Sequence, residues 1–407
     1  MTTIHFSRVG ISLKIFLGNI IAAVSVIAWY TYAYAILKNA VDIANLAYSV
    51  KLTIYSIMLF ETVVAILFGP FIVGRVAKLK SLLSISVLIG VIASFTLAVP
   101  LPVYCIVILA ILFSMSFGIS LPTVISCFKD ITNEENRAKM GSVIMLSVIF
   151  GIFSLKFLMS EDMLLNSVVL AFWRSLEIFG LILLKRFLEE KRGVSPSFIL
   201  VLRSRSVFLY LFPWAMFSLI NYLSWPISAK IYSMDFVNFL TVTGNVIAGI
   251  SALLAGFAAD KVGRKRTLIF GFIIFGLGYA LLGINPYNVY AWQFYTIVDG
   301  IAWGIFYVIF LVTIWGDLAH DKPSEKFYAI GIIPYLVSNF LRETLGQIIT
   351  DIIPEYAIFS FAALFLFLAV VPLMFAPETL PEKTLKEREL RSYIEKAKRV
   401  KEKFTKG

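Results

Sequence analysis

Twelve apolar runs, each close to the length that crosses a bilayer, limit what this chain can fold into. They cover approximately 15–37, 48–74, 81–100, 103–127, 138–160, 163–187, 207–230, 235–259, 267–285, 292–316, 327–350 and 356–376. A helix of about 20 residues, rising 1.5 Å per residue, spans the ~30 Å hydrocarbon core. Lipid offers the backbone no hydrogen-bond partner, so helix is the structure open to such runs. Composition agrees: the chain is 59% hydrophobic and only 15% charged, with a mean hydropathy of +0.88, whereas a soluble domain carries about 25% charged residues. The expectation is an all-α integral membrane protein of twelve transmembrane helices. The first run follows Arg8 and Lys14 as a signal peptide would. It is too long for a signal h-region and no small-residue cleavage site follows, so it reads as a retained helix.

The longest polar connection, 188–206, comes after the sixth run and holds Glu189, Glu190, Lys191, Arg192, Arg203 and Arg205. It divides the chain into a six-helix unit over 1–187, a linker, a second six-helix unit over 207–376 and a charged tail over 377–407. The net charge of +11 follows from topology. If the loop around Asp260 is cytoplasmic, every Lys and Arg except Lys38, Lys51, Lys156, Arg174, Lys230 and Arg342 falls on the cytoplasmic side. That asymmetry is the positive-inside rule. It predicts both termini in the cytoplasm, a multi-pass plasma-membrane protein, and no nucleic-acid partner. Cys105 and Cys127 stand near opposite ends of one run, about 33 Å apart along a helix, and cannot pair within the chain. His5 and His320 are isolated, so no metal site is expected. No phosphate loop or catalytic constellation is present, which argues against an enzyme and against a cofactor. The Gly-rich patches, such as Gly244 to Gly249, read as close helix packing.

Between the eighth and ninth runs stands Gly256-Phe-Ala-Ala-Asp260-Lys261-Val-Gly263-Arg264-Lys265. Its pattern, G-x-x-x-D-[RK]-x-G-R-[RK], resembles the signature loop of the major facilitator superfamily. Gly256, Asp260, Lys261, Gly263, Arg264 and Lys265 all match. The resemblance implies two pseudo-symmetric six-helix bundles that alternate access to a solute, commonly as a monomer. It also implies that Asp260 and Arg264 clamp neighbouring helix ends in one access state. The first half carries a weaker copy, Gly74-Arg75-Val76-Ala77-Lys78-Leu79-Lys80, with Gly74 where the motif has Asp. Gly118 answers Gly304 at the same offset, Asp130 answers Asp317, and Arg137 answers Lys326. Parallel repeats of this kind generate the two halves of such transporters. Ala376-Pro377-Glu378-Thr379-Leu380 is similar to the end of sugar-type and organic-solute symporters. The sequence departs from those proteins after its sixth run, where a P-E-S-P-type end is missing, and in its seventh, which lacks their double glutamine. The fifth run also has no Gly-Pro antiporter motif.

Ionisable groups in oil cost at least about 2.5–3.5 kcal/mol each on insertion scales, so each is a suspect for function. Here they are Glu61, Arg174, Glu177, Asp299, Arg342 and Glu343; Lys156 lies near enough to an end to snorkel. Arg174 and Glu177, three apart, can pair, and resemblance makes their helix an outer scaffold. Trp292, Tyr295, Asp299, Trp303 and Phe306 share one face of the tenth helix, which by resemblance lines the cavity. Trp214, Ser218, Asn221 and Trp225 form a similar stripe on the seventh. Such faces suit a sugar, or an organic cation held by a carboxylate and rings. An aromatic interface belt accounts equally for Trp292 and Tyr295. On the first helix, Asn19, Val26 and Tyr30 share a face, where Tyr30 and Asn19 reach the cavity or bond to neighbouring helices.

Coupling to protons requires a group whose pKa moves with access state. Desolvation raises a carboxyl and a nearby cation lowers it. Asp299, Glu61 and Glu343 are the coupling candidates, with Arg342 a partner or a clamp for an anionic solute. Asp299, Trp303, Tyr295, Asn221, Trp225, Tyr30 and Arg342 form the expected solute site. The favoured reading is proton symport of a small polar organic solute, sugar-like first. The alternatives are carboxylate uptake, organic-cation efflux, and a membrane receptor that transports nothing. The tail carries Glu382/Lys386, Glu387/Arg391, Glu395/Arg399 and Glu402/Lys406 as i,i+4 pairs, which predicts a solvated helix.

Overall fold

A computed structural model describes residues 12–44, 46–73, 79–99, 102–188, 195–381, 390 and 394. All regular structure among them is helical. The long helices are α1 (Leu13–Ile43), α2 (Tyr48–Val73), α3 (Leu79–Thr96), α4 (Val103–Ile131), α5 (Arg137–Leu158) and α6 (Met163–Leu183). After two short turns follow α7 (Arg205–Ile231, broken after Asn221), α8 (Met234–Val262), α9 (Arg264–Ile284) and α10 (Val289–Ala319), then α11 (Glu325–Thr344) and α12 (Glu355–Phe375). Gly74 and Arg75, Glu189 to Arg192, and the paired tail charges lie outside the described residues.

Eleven of these helices are long and apolar enough to cross a membrane. The twelfth expected span, 327–350, differs. Its helix α11 has 20 residues, ends in Arg342 and Glu343, and breaks at Leu345 before a short helix Gly346–Ile352. Those charges and the break lower its apolar content relative to the others. Large apolar side chains such as Phe60, Phe150, Phe172, Leu254 and Phe361 point out of the protein, as lipid-facing residues do.

Small residues set the closest approaches. Gly118 of α4 lies against the backbone of Ala65 and Ile66 of α2. Gly304 of α10 lies against Ser251 and Ala252 of α8 in the same way. A Cβ at either would meet backbone atoms, so both positions require glycine for this packing. The pair that answers across the sequence repeat thus does the same work in each half, joining the second helix to the fourth. Helices α1 and α6, α3 and α6, and α2 and α4 pack together, as do α9 and α12, α8 and α10, and α7 and α12. Contacts between these two sets run mainly through α5 with α8 and α2 with α11.

Helix α10 is not uniform. Tyr307–Thr313 is π-helical, and the Thr313 hydroxyl donates to Val308 O at 2.7 Å. A π segment widens the helix and resets the faces on either side of it. It lies between Asp299 and Trp303 above and Asp317 below.

Candidate functional site

The motif loop and its neighbours form a buried ionic cluster at one end of the bundle. Helix α8 brings Asp260 to the N-terminus of α5, where its carboxylate accepts from Lys139 N at 2.7 Å and Ala138 N at 3.3 Å. Unsatisfied amides and the helix dipole both favour an anion there. Gly256, one turn earlier, lies against Ser142 and Ala138 O of α5, and the absence of a side chain lets Asp260 reach that helix end. Arg264 is fully buried and pairs with Asp260 Oδ1 at 3.0 Å and with Asp317 Oδ2 at 3.1 Å. It also donates to Glu134 O.

Gly263 has φ +113°, a conformation that L side chains rarely adopt. It turns the chain so that the first amides of α9 meet the Glu378 carboxylate, which accepts from Arg264 N at 2.9 Å and Lys265 N at 3.2 Å. The Lys265 ammonium donates to Met374 O at 2.7 Å, while Lys261 is exposed. Glu378 and Thr379, just beyond α12, therefore complete the cluster, since the Thr379 hydroxyl donates to Asp317 Oδ2 at 2.9 Å. The motif alone does not announce that cap; the Pro-Glu-Thr ending is its only trace in sequence.

The deeper candidates separate. On α10, Trp292 is buried, donates to Pro286 O at 2.7 Å, and meets Tyr232, Tyr295 and Phe359 edge-on. Phe306 is buried among Trp214, Phe217, Phe272 and Phe310. Trp214 itself is buried and donates to Gly331 O at 2.8 Å. These rings fill the interior of the second half. The half-buried face of α10 is instead Asp299, Trp303, Tyr307 and Leu311, at steps of four. The Tyr295 hydroxyl lies 3.4 Å from Asp299 Oδ1 and 3.2 Å from the Tyr279 hydroxyl. Trp303 meets Phe217 of α7, Tyr307 and Tyr335 of α11 at ring distances of 4.9, 4.7 and 6.0 Å. Asn221 is half-buried and Trp225 exposed at 46%. Tyr307 was legible as the next member of the i,i+4 series; Tyr335 had no signal beyond being aromatic.

In the first half, the Tyr30 hydroxyl bonds Thr62 at 2.7 Å, Thr62 bonds Ser114 at 2.9 Å, and the Tyr30 ring stacks on Phe117 at 3.9 Å. Asn19 donates to Val124 O at 2.8 Å. Both side chains tie α1 to its neighbours. Glu61, midway along α2, is half-buried, and its Oε2 has neither solvent nor a hydrogen-bond partner among the described residues. Arg174 and Glu177 are fully buried and paired. The guanidinium also donates to the Ser116 hydroxyl at 3.0 Å and the Ser120 hydroxyl at 2.9 Å, and lies 4.9 Å from the Trp29 ring. Arg342 and Glu343 stand at the last turn of α11, where Glu343 pairs with Lys38 of α1 at 2.9 Å and with Arg342 at 3.1 Å.

Eleven helices long and apolar enough to cross a membrane make up most of the described residues. Residues 194–405 match the Major Facilitator Superfamily, and the chain belongs to that family of transporters. No curated protein matches it in sequence. Among solved structures it is similar to the proton:xylose symporter XylE bound to 6-bromo-6-deoxy-D-glucose (TM-score 0.65, 15% identity, covering 90% of this chain and 96% of that one). A double-tryptophan mutant of XylE gives a TM-score of 0.69 at 16% identity, covering 93% and 99%. A variant of the E. coli fucose:proton symporter FucP gives 0.68 at 10%, covering 90% and 100%. At these identities the likeness is one of fold.

Proposed function

We propose that this protein is a proton-coupled symporter of a small polar organic solute, sugar-like first, working as a monomer in the plasma membrane. The Asp260 loop and both termini face the cytoplasm. The units 1–187 and 207–376 rock about a site between them, joined by 188–206. The observation that carries this reading is the half-buried face Asp299–Trp303–Tyr307, closed by Tyr335 and Phe217. Rings that stack on C–H faces, beside a carboxylate and the Asn221 amide, suit a polyhydroxylated solute. Asp299 and Glu61 are the coupling carboxylates of this reading: neither makes an ion pair among the described residues, and Glu61 Oε2 has no hydrogen-bond partner there. The solute-carrying neighbours XylE and FucP are sugar:proton symporters, which supports the same class.

Organic-cation transport is the second reading, favoured by the same carboxylate-and-ring arrangement. Carboxylate uptake is disfavoured, because Arg342 is engaged with Glu343 at the end of α11. The test uses purified protein in liposomes that enclose a pH-sensitive dye. Internal acidification on adding a sugar, lost in Asp299→Asn and Glu61→Gln, supports the proposal. Solute entry without acidification removes proton coupling. A response to organic cations alone selects the second reading. Silence across the panel by folded protein returns the receptor alternative.

A further inference from the structure

The end of the bundle opposite the Asp260 loop is also tied. Glu343 lies 18 residues beyond Glu325 on α11, about 27 Å along a helix. Lys38 lies near the corresponding end of α1. Lys38 Nζ stands 2.9 Å from Glu343 Oε2, joining the first half to the second. Each partner is steered from its own helix. Arg342 holds Glu343 Oε1 at 3.1 Å, so the other oxygen faces α1. Asp42, one turn after Lys38, holds Lys38 Nζ at 3.4 Å and is itself fixed by the Tyr55 hydroxyl at 2.6 Å. The Tyr48 hydroxyl adds a neutral tie to Thr344 O at 2.7 Å.

The two closures differ in solvent access. At the Asp260 end, the pair that joins the halves is Arg137 of α5 with Asp317 of α10, whose side chains are 4% and 0% exposed. At the other, Lys38 is 32% and Glu343 18% exposed. Water screens a partly exposed pair and leaves it weak, while separating a buried pair strands charges in a medium of low dielectric.

We propose that Lys38 and Glu343 form the gate at the end opposite the Asp260 loop. As the weaker closure it opens first in the empty protein, so that solute is admitted from that side. The inference rests on the transport reading, but its test needs no solute. A cysteine replaces Tyr34, half-buried one turn below Lys38, in a chain carrying Cys105→Ser and Cys127→Ser. Its rate of reaction with a hydrophilic maleimide reports opening of this end. Lys38→Met and Glu343→Gln should each raise the rate by up to about fivefold, the range open to a partly exposed pair. The double variant should react no faster than the faster single one, because both remove one interaction. Raising ionic strength should accelerate labelling with the pair intact, a check that needs no variant at the gate. A second reporter, Ser142→Cys beside Gly256, should stay protected throughout. Unchanged Tyr34→Cys labelling in the variants and in salt overturns the gate, as do single effects that multiply in the double. Faster labelling in a protein that carries no solute keeps the gate and overturns the transport reading instead.

Discussion

Arg137 and Arg264 divide the carboxylate of Asp317 between them, one guanidinium on each oxygen. Arg137 of α5 pairs with Oδ1, while Arg264 at the start of α9 holds Oδ2 at 3.1 Å, beside the Thr379 hydroxyl at 2.9 Å. One buried anion on α10 therefore binds the start of α5, the start of α9 and the chain beyond α12. Asp317→Asn would leave two buried guanidinium groups competing for a neutral amide. Removing one partner of a buried ionic cluster costs about 3–5 kcal/mol. A clear drop in thermal stability in detergent is expected, together with faster labelling of Ser142→Cys. An unchanged melting temperature would show that the cluster is solvated.

Gly263→Ala should hurt twice. Its φ of +113° with ψ of 150° lies in a region open essentially to glycine and costs another residue about 1–3 kcal/mol, and the new methyl would meet the Glu378 carboxylate. Amide exchange at Arg264 and Lys265, slow while Glu378 accepts from both, should accelerate in the variant. Protection equal to wild type would mean that Glu378 does not cap α9.

The pair Arg174 and Glu177 reads as structural, and a cycle of variants separates structure from function. Arg174→Met alone strands a buried carboxylate and should cost about 3–5 kcal/mol, whereas Arg174→Met/Glu177→Met should recover most of that loss. Unfolding measured for the four proteins gives the coupling directly. A double variant as unstable as the single would indicate that the Ser116 and Ser120 contacts dominate.

Two tryptophans of one helix should behave differently. Trp292→Ala empties a fully buried site and should destabilise by about 3–5 kcal/mol. Trp303→Ala removes a half-buried ring, with a smaller cost in stability and a loss of solute uptake. Comparing melting curves with flux assays decides it, and equal destabilisation by both would place Trp303 in the packed interior.

Much of the fold was legible because lipid leaves the backbone few choices. Runs of about 20 apolar residues had to become helices. The exception, α11, blurred where Arg342 and Glu343 end it. The motif loop was legible too, since glycine at 263 and an acid at 260 are needed for one turn and one helix cap. The deep site was less so. A stripe at 292, 295, 299, 303 and 306 satisfies helical spacing, yet spacing does not say which neighbours a face meets. Packing buried Trp292, Tyr295 and Phe306 and left Asp299 and Trp303 beside Tyr307. Glu343 shows the same limit: the run places it beside Arg342, but does not say that Lys38 of another helix stands against it.

By itself the sequence determined that the chain is helical, that it crosses the membrane many times, that its halves repeat, and that Asp260 begins a charged turn. These follow from local properties: hydropathy, spacing and backbone conformation. The tertiary structure decided which charges meet. Arg137, Arg264, Asp317 and Glu378 come from four separate segments, and Lys38 and Glu343 lie on opposite halves. An ion pair depends on distance in space, which a one-dimensional pattern does not contain until the helices are packed.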